Sequence, residues 1–184
     1  LLTKDLTSIQ SGEEYTVSGG GSSDPTAPGL KIFVNSAYSG GGDNGSAEKP
    51  YTSLAAAITA KCAVDDSTER IFVIAAGTYT VAQTIVKAAG VKQKVSFIGQ
   101  GAGVTFLQAA TSYTAGKNTD CFKLSNFGGL RFEKLTIRNC RYGLRGISCD
   151  DLHVTHCMFT KCGTPATESL FDGSLSQSAQ VAAH

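Results

Sequence analysis

One short segment of the chain combines a carboxylate, two imidazoles and several cations at a spacing that suits chemistry. Its candidate residues are Arg131, Glu133, Lys134, Arg138, His153 and His156. An imidazole near a carboxylate provides the groups used in general acid–base catalysis. A guanidinium beside them provides a partner for a bound carboxylate. The segment is therefore a candidate binding or catalytic face, and an ordinary solvated surface is the alternative interpretation.

The carboxylates of this segment argue against catalysis. Cleavage of a glycosidic bond by acid–base chemistry needs two of them, and Glu133 is the one on the face. Asp150 and Asp151 are adjacent at a predicted turn, where their side chains are expected to diverge, and the equivalent positions one repeat earlier are Gly128 and Gly129. The Asp residues on successive strands that would bind Ca²⁺ are also missing. We therefore predict no catalytic residue, no metal site and no cofactor.

A repeat of 22 residues positions the candidate face. The aligned pairs are Phe122/Leu144, Leu130/Leu152, Phe132/Val154, Ile137/Phe159 and Cys140/Cys162. The short apolar alternation within each repeat is typical of strands. A fixed period of this length predicts stacked units with a common core. If Leu130–Ile137 is one strand, Arg131 lies beside His153 and Lys134 beside His156, about 4.8 Å apart.

An earlier part of the chain repeats less clearly. Val95–Ile98 follows Ile71–Ile74 at a distance of 24 residues. Ser53 or Thr52 is suited to N-cap a helix that continues to about Cys62. Both features predict that the stack begins well before the 22-residue repeat.

Two stretches resemble the right-handed parallel β-helix proteins of the pectin-lyase-like superfamily. The coils of that superfamily typically end in Leu-x-Ile-x-Asn-Cys, as Leu135–Cys140 does. Its usual entry combines a strand, a Gly-rich turn, a Lys-Pro-Tyr-Thr-Ser helix start and a rung ending in Gly-Thr-Tyr, all of which occur between Lys31 and Tyr79. The resemblance implies an all-β fold, a right-handed parallel β-helix (solenoid) of about four or five coils. It also implies that the helix near Leu54–Cys62 plugs the N-terminal end.

The resemblance leaves the function open, because the superfamily includes lyases, hydrolases, tailspikes, adhesins and non-catalytic surface proteins. The short stack and the scarcity of carboxylates favour a non-catalytic surface or assembly module of a larger particle, coat or secreted protein, with glycans as candidate ligands. The alternative is a polysaccharide lyase or glycoside hydrolase, or a fragment of one. The expected location is extracellular, at the cell surface or in a virion.

Composition limits the partners. The net charge of +1 does not favour nucleic acid, and no apolar run is long enough to span a membrane. We predict three regions: an arm with a Gly/Ser/Pro linker (1–29), the β-helix domain (30–163), and a cap, connector or tail (164–184). The arm is the expected site of protein contacts or self-assembly. Because the chain starts at Leu1, we expect a processed product or a fragment.

The cysteines leave three alternatives open: small buried apolar residues, a disulfide, or a zinc site. The six cysteines are Cys62, Cys121, Cys140, Cys149, Cys157 and Cys162. Cys140 and Cys162 are the natural disulfide pair, because they share one repeat position. Asn44-Gly45-Ser46 is a candidate N-glycosylation sequon at Asn44.

Overall fold

The computed structural model describes residues 29–116 and 118–162, so the predicted arm, except Gly29, and the region 164–184 lie outside the described residues. The described part consists mainly of short strands, with two helices. The helices are α1 (Leu54–Cys62) and α2 (Tyr113–Gly116). The strands are β1 (Leu30–Val34), β2 (Arg70–Ile74), β3 (Gly77–Thr80), β4 (Gln83–Val86), β5 (Lys94–Ile98), β6 (Thr105–Gln108), β7 (Phe122–Ser125), β8 (Gly129–Glu133), β9 (Thr136–Cys140), β10 (Leu144–Ile147), β11 (Leu152–Thr155) and β12 (Met158–Cys162).

The strands form three parallel sheets. Sheet 1 has the order β1-β2-β5-β8-β11, sheet 2 the order β12-β9-β6-β3, and sheet 3 the order β10-β7-β4. From β2 onward, successive strands enter the three sheets in turn. This mostly β, all-parallel arrangement is compatible with a parallel β-solenoid.

The 22-residue repeat is the pairing register of the last coils. Leu152 pairs with Leu130 and Val154 with Phe132 in sheet 1, and Phe159 pairs with Ile137 in sheet 2. This prediction is confirmed. The earlier spacing of 24 residues is wrong, because Ile71 pairs with Ser96 rather than with Val95. Side chains alternate along a strand, so a shift of one residue would turn the inward set outward.

A corner divides the segment predicted as one strand from Leu130 to Ile137. β8 ends at Glu133 and β9 begins at Thr136, and the two belong to different sheets. Lys134, at the corner, has a positive φ of 54°, and His156 has a φ of 52° one repeat later. Lysine does not favour this left-handed conformation, so the sequence at Lys134 gives no local sign of the corner.

Aromatic rings fill the core beneath sheet 1. Phe97 stacks between Phe72 and Phe132, with ring centroids 5.1 Å and 5.0 Å away, and Phe122 approaches it at 5.0 Å from sheet 3. All four rings are completely buried. Phe72, Phe97 and Phe132 are register partners on β2, β5 and β8, so the pairing of these strands builds the stack.

Helix α1 packs against β1, β2 and β3. Ser53 is its N-cap, and the Ser53 hydroxyl accepts a hydrogen bond from the Ala56 amide. Leu54, Ala57 and Ile58 are buried in the same hydrophobic core as the strands. The predicted helix and its start are therefore confirmed.

Candidate functional site

The candidate face lies on the outer side of sheet 1. In β8, Leu130 and Phe132 point into the core, so Arg131 between them and Glu133 after them point outward. His153 on β11 pairs with Arg131, as the repeat predicts, and Ser96 on β5 pairs with Arg131 from the other side. The register thus brings a hydroxyl, a guanidinium and an imidazole into one row across three strands.

Glu133 is the centre of the charges on this face. Its carboxylate accepts a hydrogen bond from the Arg131 guanidinium, and Lys134 Nζ lies 3.2 Å from Glu133 Oε1. Partial burial raises the pKa of Glu133, but the hydrogen bonds and positive charges of Lys134 and Arg131 outweigh it and hold the pKa below its usual value. Glu133 is therefore a carboxylate whose charge is neutralised by two neighbours.

His153 has a carboxylate partner that the sequence analysis missed. Its Nε2 lies 2.8 Å from Asp151 Oδ2. Asp150 and Asp151 were expected to diverge from each other, and they have different partners: Asp150 binds Lys92 Nζ at 2.5 Å. Asp151 stands two residues before His153, and this spacing returns to the same side of an extended chain. Alternation through the start of β11 was the signal that could have placed Asp151.

His156 and Lys134 occupy equivalent corners, one repeat apart. Both have left-handed backbone conformations, and His156 is exposed. Their alignment by 22 residues is as predicted, but they lie after the strands of sheet 1 rather than within a strand.

Arg138 belongs to a different surface. It lies on β9 in sheet 2, where its guanidinium is 4.3 Å from the centroid of the Phe106 ring. Its Nε donates to Gln108 Oε1 at 3.1 Å, and a terminal nitrogen donates to Thr78 Oγ1 at 3.4 Å. The prediction that Arg138 shares one face with Arg131 is therefore wrong, because the corner at Lys134 separates their strands.

The polar segment that connects β6 to β7, and that includes α2, also lies against sheet 2. The Asn139 side-chain amide donates to the Ala110 and Thr111 carbonyls at 3.5 Å and 3.4 Å. Gly116 in α2 approaches the Asn139 backbone so closely that an added Cβ would lie 1.9 Å from the Asn139 carbonyl oxygen. The segment therefore packs beside the Arg138 surface.

A second polar cluster, which the sequence did not indicate, lies at the C-terminal end of α1. Lys87 is 1% exposed, and its Nζ donates to the Cys62 and Val64 carbonyls at 2.5 Å and 2.8 Å. Arg70 Nε donates to the Lys61 carbonyl at 3.0 Å. Because the last carbonyls of a helix have no partner within it, these two cations complete its hydrogen bonding.

The same cluster surrounds a thiol. Burial raises the pKa of Cys62 to about 11, although the positive charges of Lys87 and Arg70 oppose the shift. A buried thiol with this pKa is a poor nucleophile at neutral pH. The cluster therefore contributes to the stability of the helix rather than to a reactive site.

The structure also describes the predicted cysteine pair and the predicted glycosylation sequon. Cys140 and Cys162 are register partners, their sulfur atoms lie 3.2 Å apart, and both are free thiols. Asn44 is exposed, and its Oδ1 accepts a hydrogen bond from the Ser46 amide at 2.8 Å. Neither observation tests glycosylation, which stays a prediction. Among residues 29–116 and 118–162, no three His, Cys, Asp or Glu side chains are grouped as metal ligands would be.

Comparison with known proteins found no match, so the functional hypothesis is based on the geometry of the described residues. No protein-family model, curated protein or solved structure matches this chain. In the part of the chain that the structure describes, no helix is long and apolar enough to cross a membrane.

Proposed function

We propose that the chain is a non-catalytic β-helix module that serves as a structural unit of a larger particle, coat or secreted protein. In this proposal the three sheets form a right-handed parallel β-helix of the pectin-lyase-like type, with about four or five coils. Helix α1 plugs its N-terminal end, which is supported by the burial of Leu54 and Ile58 in the common core. The arm 1–29 is the proposed contact for protein partners or self-assembly.

The pairing of charges on the outer face of sheet 1 is the observation that carries this proposal. Arg131 and Lys134 share Glu133, and His153 faces Asp151. A glycosidase needs one carboxyl that stays protonated near neutral pH, which requires a raised pKa. The pKa of Glu133 is shifted in the opposite direction. A surface of mutually neutralised charges suits reversible contact better than proton transfer.

Glycans are the proposed ligands of this face. A sugar ring offers hydroxyls, and an acidic sugar also offers a carboxylate that a guanidinium binds through two parallel hydrogen bonds. Arg131 is half exposed in its side chain and stands between Ser96 and His153 in one row. Within that row Arg131 and His153 are exposed, whereas Ser96 is buried and its hydroxyl donates to Glu69 Oε1 at 3.2 Å, so the guanidinium and the imidazole are the groups open to a ligand.

Binding to polygalacturonate, measured by isothermal titration, tests the proposed face. We expect Arg131→Ala to weaken binding about tenfold, the effect of losing one charge-assisted contact. Arg138→Ala, which changes a guanidinium on sheet 2, is the matched control and should leave the affinity unchanged. If Arg138→Ala weakens binding and Arg131→Ala does not, the proposed face is wrong.

The rival function is a polysaccharide lyase or glycoside hydrolase. The contact between His153 and Asp151 favours it, because a carboxylate that orients an imidazole is a common arrangement for a general base. Incubation with polygalacturonate and alginate, followed by absorbance of unsaturated products and by reducing-end assay, separates the two functions. We expect no turnover. Turnover that His153→Ala abolishes would replace the structural proposal with the enzymatic one.

A further inference from the structure

Two thiols meet where the last described strand of sheet 2 joins the stack. Cys162 on β12 pairs in register with Cys140 on β9, and their sulfur atoms lie 3.2 Å apart. Neighbouring strands are about 4.8 Å apart, which is within the range of Cα separations that a disulfide spans. The backbone therefore needs no rearrangement to join them.

The coil repeat aligns none of the other cysteines with a second cysteine. Cys157 is half buried like Cys162, but the residue 22 positions before it is Leu135. Cys149 directs its thiol towards the Leu124 and Ile147 carbonyls. Cys121 is completely buried. The repeat places cysteine at the same position of two consecutive coils only for Cys140 and Cys162.

We propose that Cys140 and Cys162 form a redox-sensitive cross-link that fastens β12 to β9. Within the described residues, the bond joins β12, at one edge of sheet 2, to β9, which is paired on both sides. In an oxidising compartment the last described rung is then covalently held, and in a reducing one it depends on strand pairing alone.

The two thiols differ in exposure, and this difference orders the reaction. Cys162 is half buried and Cys140 is completely buried. A hydrogen bond from Cys140 lowers the pKa of Cys162 and raises that of Cys140, so Cys162 is the thiol that ionises and attacks first.

The oxidant in this proposal is a small-molecule disulfide such as oxidised glutathione. The Cys162 thiolate attacks one glutathione sulfur, forms a mixed disulfide and releases one glutathione thiolate. Cys140 then loses its proton, attacks the Cys162 sulfur and releases the second glutathione. The protein gives up two electrons and two protons, and the oxidant is reduced to two thiols.

Treatment of the purified chain with oxidised glutathione, followed by intact-mass measurement and a tryptic map without reduction, tests the cross-link. We expect a loss of two hydrogens per chain. We also expect one linked species that joins the Asn139–Arg141 peptide to the peptide that begins at Cys162. Cys140→Ser should abolish it, whereas Cys157→Ser, which changes a similarly half-buried thiol, should not.

A thermal scan measures the consequence for the fold. Closing the loop between Cys140 and Cys162 should raise the melting temperature by roughly 5–10 °C. The increase should disappear on reduction and be missing in Cys140→Ser. Six titratable thiols in the denatured chain after oxidation, a persistent mixed disulfide, or a link from Cys162 to Cys121 would each overturn the proposal.

Discussion

Two of the edge strands in the described part of the chain, β1 and β12, differ in how deeply their side chains are buried. Both pair with one named strand, β1 with β2 and β12 with β9. In β1 the inward residues Ile32 and Val34 are 1% exposed. In β12 every residue is half buried or exposed, and Met158 is 52% exposed. An edge position therefore does not by itself decide how far a strand is buried.

The covering elements account for the difference. Helix α1 packs on β1, and Tyr51 exchanges backbone hydrogen bonds with Phe33 and Asn35 on the side of β1 away from β2. Within residues 29–116 and 118–162, no strand pairs with β12 on the side away from β9. Alternation determines which side chains point inward, while the neighbours above and below determine how much water they lose.

The largest expected contrast is between the middle of the stack and its end. Phe97→Ala should destabilise the fold by about 3–5 kcal/mol, because it removes a completely buried ring that contacts three others. Phe159→Ala on β12, where the ring is only half buried, should cost less than half as much. Urea denaturation followed by circular dichroism measures both. Equal losses would mean that β12 is as well enclosed as β5.

The next contrast concerns Lys87, which is buried at the C-terminal end of α1. Lys87→Met keeps most of the side-chain volume but leaves the Cys62 and Val64 carbonyls without their buried donor. We expect a loss of roughly 2–4 kcal/mol in the free energy of unfolding. Lys92→Met is the control, because it removes only an exposed ion pair with Asp150 and should cost below about 1 kcal/mol. If Lys87→Met leaves the free energy of unfolding unchanged, the helix end needs no buried cation.

A third comparison uses one position with a left-handed backbone, which recurs after 22 residues in β9 and β12. Asn139 and Lys161 have φ values of 53° and 54°, and glycine adopts this conformation without steric cost. Lys161→Gly should stabilise the fold by up to about 1 kcal/mol. Asn139→Gly should bring no gain, because it also removes the hydrogen bonds to the Ala110 and Thr111 carbonyls. The melting temperature of Lys161→Gly should therefore rise, whereas that of Asn139→Gly should not.

The smallest effect is expected on the outer face of sheet 1. Glu133 on β8 binds two cations, whereas its register partner on β11 is Thr155. Because the pKa of Glu133 is lower in the folded state, its contribution is present above the unfolded-state pKa and lost as the pH falls through the folded one. Glu133→Gln should reduce stability at neutral pH by below about 1 kcal/mol. This loss of stability should become smaller as the pH falls. Urea midpoints measured at successive pH values test this expectation, and a loss that stays constant with pH would contradict it.

Several features could be predicted from the sequence because they depend on local periodicity. The pairing of Leu130 with Leu152 and of Cys140 with Cys162 follows from equal coil lengths and a side-chain period of two. The start of α1 follows from Ser53, whose hydroxyl caps a nearby amide. His153 beside Arg131 is a direct consequence of the same register.

Other features were decided only by the tertiary structure. No glycine marks the corner at Lys134. Side-chain alternation alone therefore could not predict that Arg138 belongs to a separate sheet. The burial of Lys87 depends on carbonyls 23 and 25 residues away. The contact of β1 with α1 brings together segments whose sequences show no common pattern. Local periodicity specifies which way a side chain points, but the desolvation and pairing of that side chain depend on which distant segment the fold brings next to it.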